Sequence, residues 1–177
     1  EEAKVILAEI QNTVVSHSGK LFSFGTAVIV IGILLSVFQQ FVGINVVLYY
    51  APEIFKNMGS GTDTALLQTI FVGSVNLLFT VLAILTVDKL GRKPLMMIGA
   101  LGMAISMFAL GTTFFTQTLG WSALIFMLIY VASFAMSWGP VTWVLLSEIF
   151  PNKIRGKALA VAVAAQWISN YLVSWTF

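Results

Sequence analysis

The run Gln39, Gln40, Phe41, Val42, Gly43, Ile44 and Asn45 places three side-chain amides in a stretch, residues 21 to 52, that holds no charged residue. An amide in an apolar span is costly unless it meets a partner or lines a wet cavity. Two uses meet that condition. Amides bond across helix interfaces and hold bundles together. They also suit a neutral polyol, because an amide both donates and accepts and so pairs with adjacent hydroxyls without importing a charge. Asn45 and Tyr49 are four apart and share a helix face, whereas Gln39 and Asn45 do not on an ideal helix. A site common to all three needs a break near Gly43, where glycine tolerates unusual dihedrals.

Other apolar stretches carry residues of the same kind. Asn76 is the deep polar residue of the second, with Gln68 nearer its outer end, and by itself fits packing as well as ligand contact. The fourth carries Trp138, Gly139, Pro140 and Trp143. Gly139 and Pro140 point to a flexible or kinked place, and irregular backbone at membrane depth faces a cavity. A Trp ring can stack on the C–H face of a sugar, yet Trp in a span also serves packing and interface anchoring. The fifth adds Gln166, Trp167 and Asn170, with Gln166 and Asn170 on one face. Amides or Trp residues on several spans together argue for a polar pocket in a bundle.

Two loops are charged in a pattern: Asp88, Lys89, Leu90, Gly91, Arg92, Lys93, and Glu148 through Lys157. Topology signals and helix ends account for the Lys residues. They do not account for the acid that accompanies each cluster. Asp88 and Glu148 can pair with Arg92 and Arg155 between loops, forming a latch that holds one conformation. No catalytic set is visible: the single His is His17, Cys is absent, and no Gly-rich loop followed by Lys and Ser or Thr is present to cradle phosphates. An enzyme or an ATP-driven pump subunit is disfavoured, and no cofactor or metal is expected.

The elements that must position these residues follow from composition. Hydrophobic residues make up 59% of the chain and charged residues 9%, which calls for lipid as solvent. The uncharged stretches are long enough for transmembrane helices of about 20 residues, and they are apolar on every face, unlike the alternating strands of a barrel. The expectation is an all-α polytopic bundle with spans at about 21–55, 64–87, 95–114, 122–147 and 157–177, preceded by an amphipathic cytoplasmic segment at 1–20. With the N-terminus inside, the inner segments hold Lys4, Lys20, Lys89, Arg92, Lys93, Lys153, Arg155 and Lys157, and the outer connections hold Lys56. The positive-inside rule therefore puts the N-terminus in the cytoplasm. The basic residues lie between spans and form no patch that tracks phosphates, so nucleic acid is not implied. A first residue that is Glu and a last stretch that is still apolar read as a piece of a longer protein.

The segments QQFVGINVVLYYAP (39 to 52), DKLGRK (88 to 93), WGPVTWVLLSEIFP (138 to 151) and IRGKA (154 to 158) resemble the sugar porter family of the major facilitator superfamily, and the likeness runs from Leu21 to Phe177. The resemblance implies a twelve-span transporter, with this chain supplying spans seven to eleven of a multi-pass protein of the bacterial inner membrane. It also implies alternating-access transport of a sugar, D-xylose carried with a proton, and the N-terminal half of the same protein as a partner. A facilitative hexose carrier, and a fragment with no transport of its own, are the alternatives. By the resemblance Gln39, Gln40, Asn45, Asn76, Trp143 and Gln166 fall on sugar-contacting positions, with Tyr49 and Trp167 beside them. Asp88, Arg92, Glu148 and Arg155 fall on the family's cytoplasmic charge network. The loop motif departs from the family pattern at Ile84, where Gly is usual. No acid lies mid-membrane in this chain, so the proton-coupling group is expected in the other half.

Overall fold

The computed structural model describes residues 26–117 and 120–177. The amphipathic segment expected at 1–20, with His17, Lys4 and Lys20, lies outside them. Among the described residues the chain is a bundle of seven helices: α1 (Thr26–Phe41), α2 (Ile44–Asn57), α3 (Thr62–Leu90), α4 (Arg92–Phe115), α5 (Trp121–Met136), α6 (Trp138–Ile149) and α7 (Arg155–Thr176). They make five helical stretches long and apolar enough to cross a membrane, because α1 continues into α2 and α5 into α6. At 1.5 Å per residue the 29 residues of α3 run about 43 Å, beyond a hydrocarbon core of about 30 Å.

Large apolar side chains such as Leu77, Phe108 and Ile105 stand outward on α3 and α4. That arrangement is unfavourable in water and natural in lipid, where tails solvate the outer faces. Inside, α5 is the hub: it packs against both α3 and α4, while α1 pairs with α7 and α2 with α3. The main apolar cluster gathers Ile44, Val47 and Phe55 of α2, Val72 of α3, Met103 and Leu110 of α4, and Met127, Tyr130, Val131 and Phe134 of α5. A second joins Leu146 and Phe150 to Ala158 and Ala162 of α7.

The two breaks have different causes. Between α1 and α2, Gly43 takes φ 84 and ψ 14, a left-handed conformation open to glycine at little cost. Between α5 and α6 the turn falls on Ser137, at φ −132 and ψ −88, ahead of the Gly139 and Pro140 pair in which the sequence places the kink. Pro140 is instead the third residue of α6, where the missing N–H is one that a first helical turn leaves unused. One tertiary bond and one local bond flank the break. The indole of Trp138 donates to the carbonyl of Met96 at 3.1 Å, and Ser137 Oγ donates to the carbonyl of Ser133 at 2.6 Å.

Candidate functional site

A cavity of about 400 Å³ opens where α1, α2, α3, α6 and α7 converge below the end of α5. Its lining includes Gln39, Gln40, Asn45, Asn76, Trp143 and Gln166, the six residues that the family resemblance puts on sugar-contacting positions, and Tyr49 and Trp167, the two it puts beside them. The left-handed turn at Gly43 brings them together, since it rotates α2 relative to α1 and lets Asn45 face the same space as Gln39.

Inside the cavity the amides form a continuous network. Gln166 Nε2 donates to Gln39 Oε1 at 2.6 Å, and Gln40 Nε2 approaches the same oxygen at 3.4 Å. Asn45 Nδ2 donates to Gln40 Oε1 at 2.6 Å and to Asn170 Oδ1 at 3.0 Å. Gln39 Nε2 donates to the carbonyls of Trp138 at 3.0 Å and Gly139 at 3.3 Å, which tethers α1 to the start of α6. Four helices thus share one set of neutral donors and acceptors, and bonds in such a chain polarise one another in a low-dielectric setting. Gln39, Gln40 and Gln166 are buried, whereas Asn45 is half-buried and Tyr49 and Trp167 are exposed.

The network is not closed. Gln166 Oε1 is buried without a hydrogen-bond partner among the described residues. A buried acceptor left this way is costly, and an entering donor relieves the cost. The side chains of Asn76, Tyr49 and Trp143 likewise make no hydrogen bond to a described residue. No Asp, Glu, Lys or Arg is in the lining. The arrangement can therefore receive a neutral ligand with several hydroxyls, with Trp143 and Trp167 offering ring faces at its margin. Among the described residues no group of His, Asp or Glu is placed to hold a metal ion.

Sequence reasoning passes over Thr80, which also lines the cavity. Its signal is the spacing of four from Asn76, and its Oγ1 donates to the Asn76 carbonyl at 2.8 Å. Backbone acceptors at Trp138 and Gly139 leave no mark in side-chain identity.

The charged loops meet at one point. Arg92 donates to Glu148 Oε1 from Nη2 at 2.6 Å and from Nε at 3.1 Å, and its Nη2 lies 3.2 Å from Asp88 Oδ1. This bond places the α3–α4 and α6–α7 connections on the same face of the bundle. Arg155 stands apart from it: its Nε donates to the carbonyl of Phe150 at 3.3 Å, and among the described residues it pairs with neither acid. A latch of two acid–base pairs is thus, in this structure, a single base shared by two acids. The physical reason is local, since Arg155 opens α7 within reach of the unpaired carbonyl at the end of α6.

Comparison with known proteins agrees in both sequence and fold. A family model described as "Sugar (and other) transporter" matches residues 1–177. The chain is 75% identical over 159 residues to the D-xylose-proton symporter of Escherichia coli (strain K12), covering 90% of this chain and 32% of that protein. It is 53% identical over 160 residues to the glucose facilitated diffusion protein of Zymomonas mobilis, covering 90% of this chain and 34% of that one. It superposes with a TM-score of 0.85, at 68% identity, on a solved structure described as the major facilitator superfamily proton:xylose symporter bound to 6-bromo-6-deoxy-D-glucose, covering 99% of this chain and 38% of that one. The chain spans about a third of the length of the curated relatives it matches. By this match over its whole length, the chain belongs to the sugar transporter family of the major facilitator superfamily.

Proposed function

We propose that the amide cavity is a sugar site and that the chain is part of a D-xylose:proton symporter working by alternating access. The observation that carries the reading is the uncharged, incompletely satisfied network of Gln39, Gln40, Asn45 and Gln166, with its free acceptor at Gln166 Oε1. A pyranose presents hydroxyls that donate and accept at neighbouring positions, as these amides do. Binding of this kind leaves the covalent bonds of the sugar untouched, so the reading is transport and not enzymatic catalysis. The 75% identity to a D-xylose-proton symporter supports the substrate and the coupling.

Orientation rests on the charges. The α3–α4 and α6–α7 connections, joined by Arg92 and Glu148, carry Lys89, Lys93, Lys153, Arg155 and Lys157, while Lys56 lies at the other end of the bundle. The positive-inside rule assigns the basic face to the cytoplasm of a bacterial inner membrane.

A second reading, facilitated diffusion, is supported by the 53% identity to a glucose facilitated diffusion protein. Uptake of labelled D-xylose into vesicles holding the full-length protein, with and without an inward proton gradient, separates the two. Stimulation by the gradient supports symport. Uptake indifferent to the gradient supports facilitated diffusion, and no uptake of D-xylose removes the substrate assignment.

A further inference from the structure

Tyr130 lies outside the cavity lining, yet its hydroxyl is spent on the break that builds the cavity. The residue is 1% exposed in the main apolar cluster, among Ile44, Val47 and Phe134. A hydroxyl in such surroundings is costly unless it is bonded. Here it donates to the carbonyl of Val42 at 2.7 Å.

That carbonyl is the one the break leaves over. The ladder of α1 ends with the Val42 N–H on Phe38, and Gly43 N–H turns back to Gln40 at 2.9 Å. The ladder of α2 resumes with the Val47 N–H on Gly43 at 3.2 Å, so among the described residues no backbone donor reaches the oxygen of Val42. A neighbouring helix supplies the donor instead. The same break is flanked by Gln39 and Gln40 on one side and Asn45 on the other, and the 2.6 Å bond from Asn45 to Gln40 crosses it. One turn beyond Tyr130, Phe134 and Ala135 of α5 form part of the cavity wall. The hydroxyl therefore fixes the turn between the two amide-bearing helices against the helix that carries that wall.

We propose that Tyr130 is a positioning residue for sugar binding, its hydroxyl holding the α1–α2 break in the geometry that sets Asn45 beside Gln40. The inference rests on the sugar reading of the cavity. Replacement by Phe keeps the ring in the apolar cluster and removes only the donor, so the turn loses its anchor while the packing stays.

The test is calorimetric titration of D-xylose into the detergent-solubilised full-length protein, for wild type, Tyr130→Phe, Asn45→Ala and the double variant. Tyr130→Phe is expected to weaken binding about tenfold, the scale of one lost buried hydrogen bond. Because the hydroxyl acts through Asn45, the double variant is expected to bind within about twofold of Asn45→Ala, the non-additivity of coupled sites. Unchanged affinity in Tyr130→Phe, or fully additive losses, overturns the inference. If Tyr130→Phe does not fold, 4-aminophenylalanine in place of Tyr130 keeps a donor at the ring's far end. Near wild-type affinity then supports the inference, and folded protein with weakened affinity overturns it. A wild type that binds no D-xylose overturns the sugar reading itself, and this inference with it.

Discussion

The amide of Gln166 donates to Gln39 Oε1 at 2.6 Å, joining α7 to α1 across 127 positions of sequence. Gln39 in turn donates to the first carbonyls of α6, so a single side chain on α1 reports on two other helices. On the proposed reading, a sugar hydroxyl that enters here shares or replaces these bonds. Occupancy of the cavity is thereby linked to the relation between α1, α6 and α7.

Asn76 separates ligand contact from internal glue. Its amide lines the cavity and bonds to no described residue, so Asn76→Ala breaks no hydrogen bond between described side chains. The expected result is D-xylose affinity lowered about five- to tenfold, on the scale of about 1 kcal/mol for one hydrogen bond, with an unchanged thermal midpoint of the sugar-free protein. A lowered midpoint with unchanged affinity would make Asn76 a packing residue.

The Arg92 pair is expected to matter for conformation more than for folding. Glu148 is 44% exposed and Asp88 80%, and pairs this open are screened by water and add little to folding stability. Since the pair joins two loops on one face, Glu148→Gln should change the maximal rate of uptake and leave the apparent KM within about twofold. Asp88→Asn should do less, because its contact is longer and more solvated. High salt should move wild type toward Glu148→Gln. Equal effects of the two substitutions, or an effect confined to KM, would contradict this account.

Gly99 is a point of close approach between α4 and α5. A Cβ there would overlap Oγ and Cβ of Ser137, and would stand 3.0 Å from the Ser133 carbonyl. Gly99→Ala must push the helices apart, and overpacking of this kind costs about 1–3 kcal/mol. Gly111 on the same helix meets nothing within 4 Å, so Gly111→Ala should be neutral or mildly stabilising. Thermal unfolding of the two variants in detergent, without sugar, checks the contrast. An equal midpoint for both would show that α4 and α5 do not touch in this way.

Much of the cavity was legible in the sequence because its residues contradict their surroundings. Gln39, Gln40, Asn45, Asn76 and Gln166 are amides in apolar stretches, and Gly43 stands where a straight helix would keep Gln39 from Asn45. What escaped depends on contacts between distant segments. The break at Ser137 is flanked by the Trp138 bond to Met96 and by small residues meeting across α4 and α5, none of which spacing reveals. The partner of Arg155 is a carbonyl, and carbonyls are common to every residue. Likewise the tie from Tyr130 to Val42 spans 88 positions and follows from the three-dimensional course of α5.

On the proposed reading, Gln39 binds the sugar. Uptake of labelled D-xylose into vesicles holding the full-length protein, compared for wild type and Gln39→Ala, tests it most directly. Loss of one buried, fully used amide is expected to lower the ratio of maximal rate to KM about 10- to 100-fold, corresponding to about 1–3 kcal/mol, in protein shown to be folded and inserted to the same level as wild type. Uptake by Gln39→Ala equal to wild type would contradict the account and return the amide network to the role of interhelical glue.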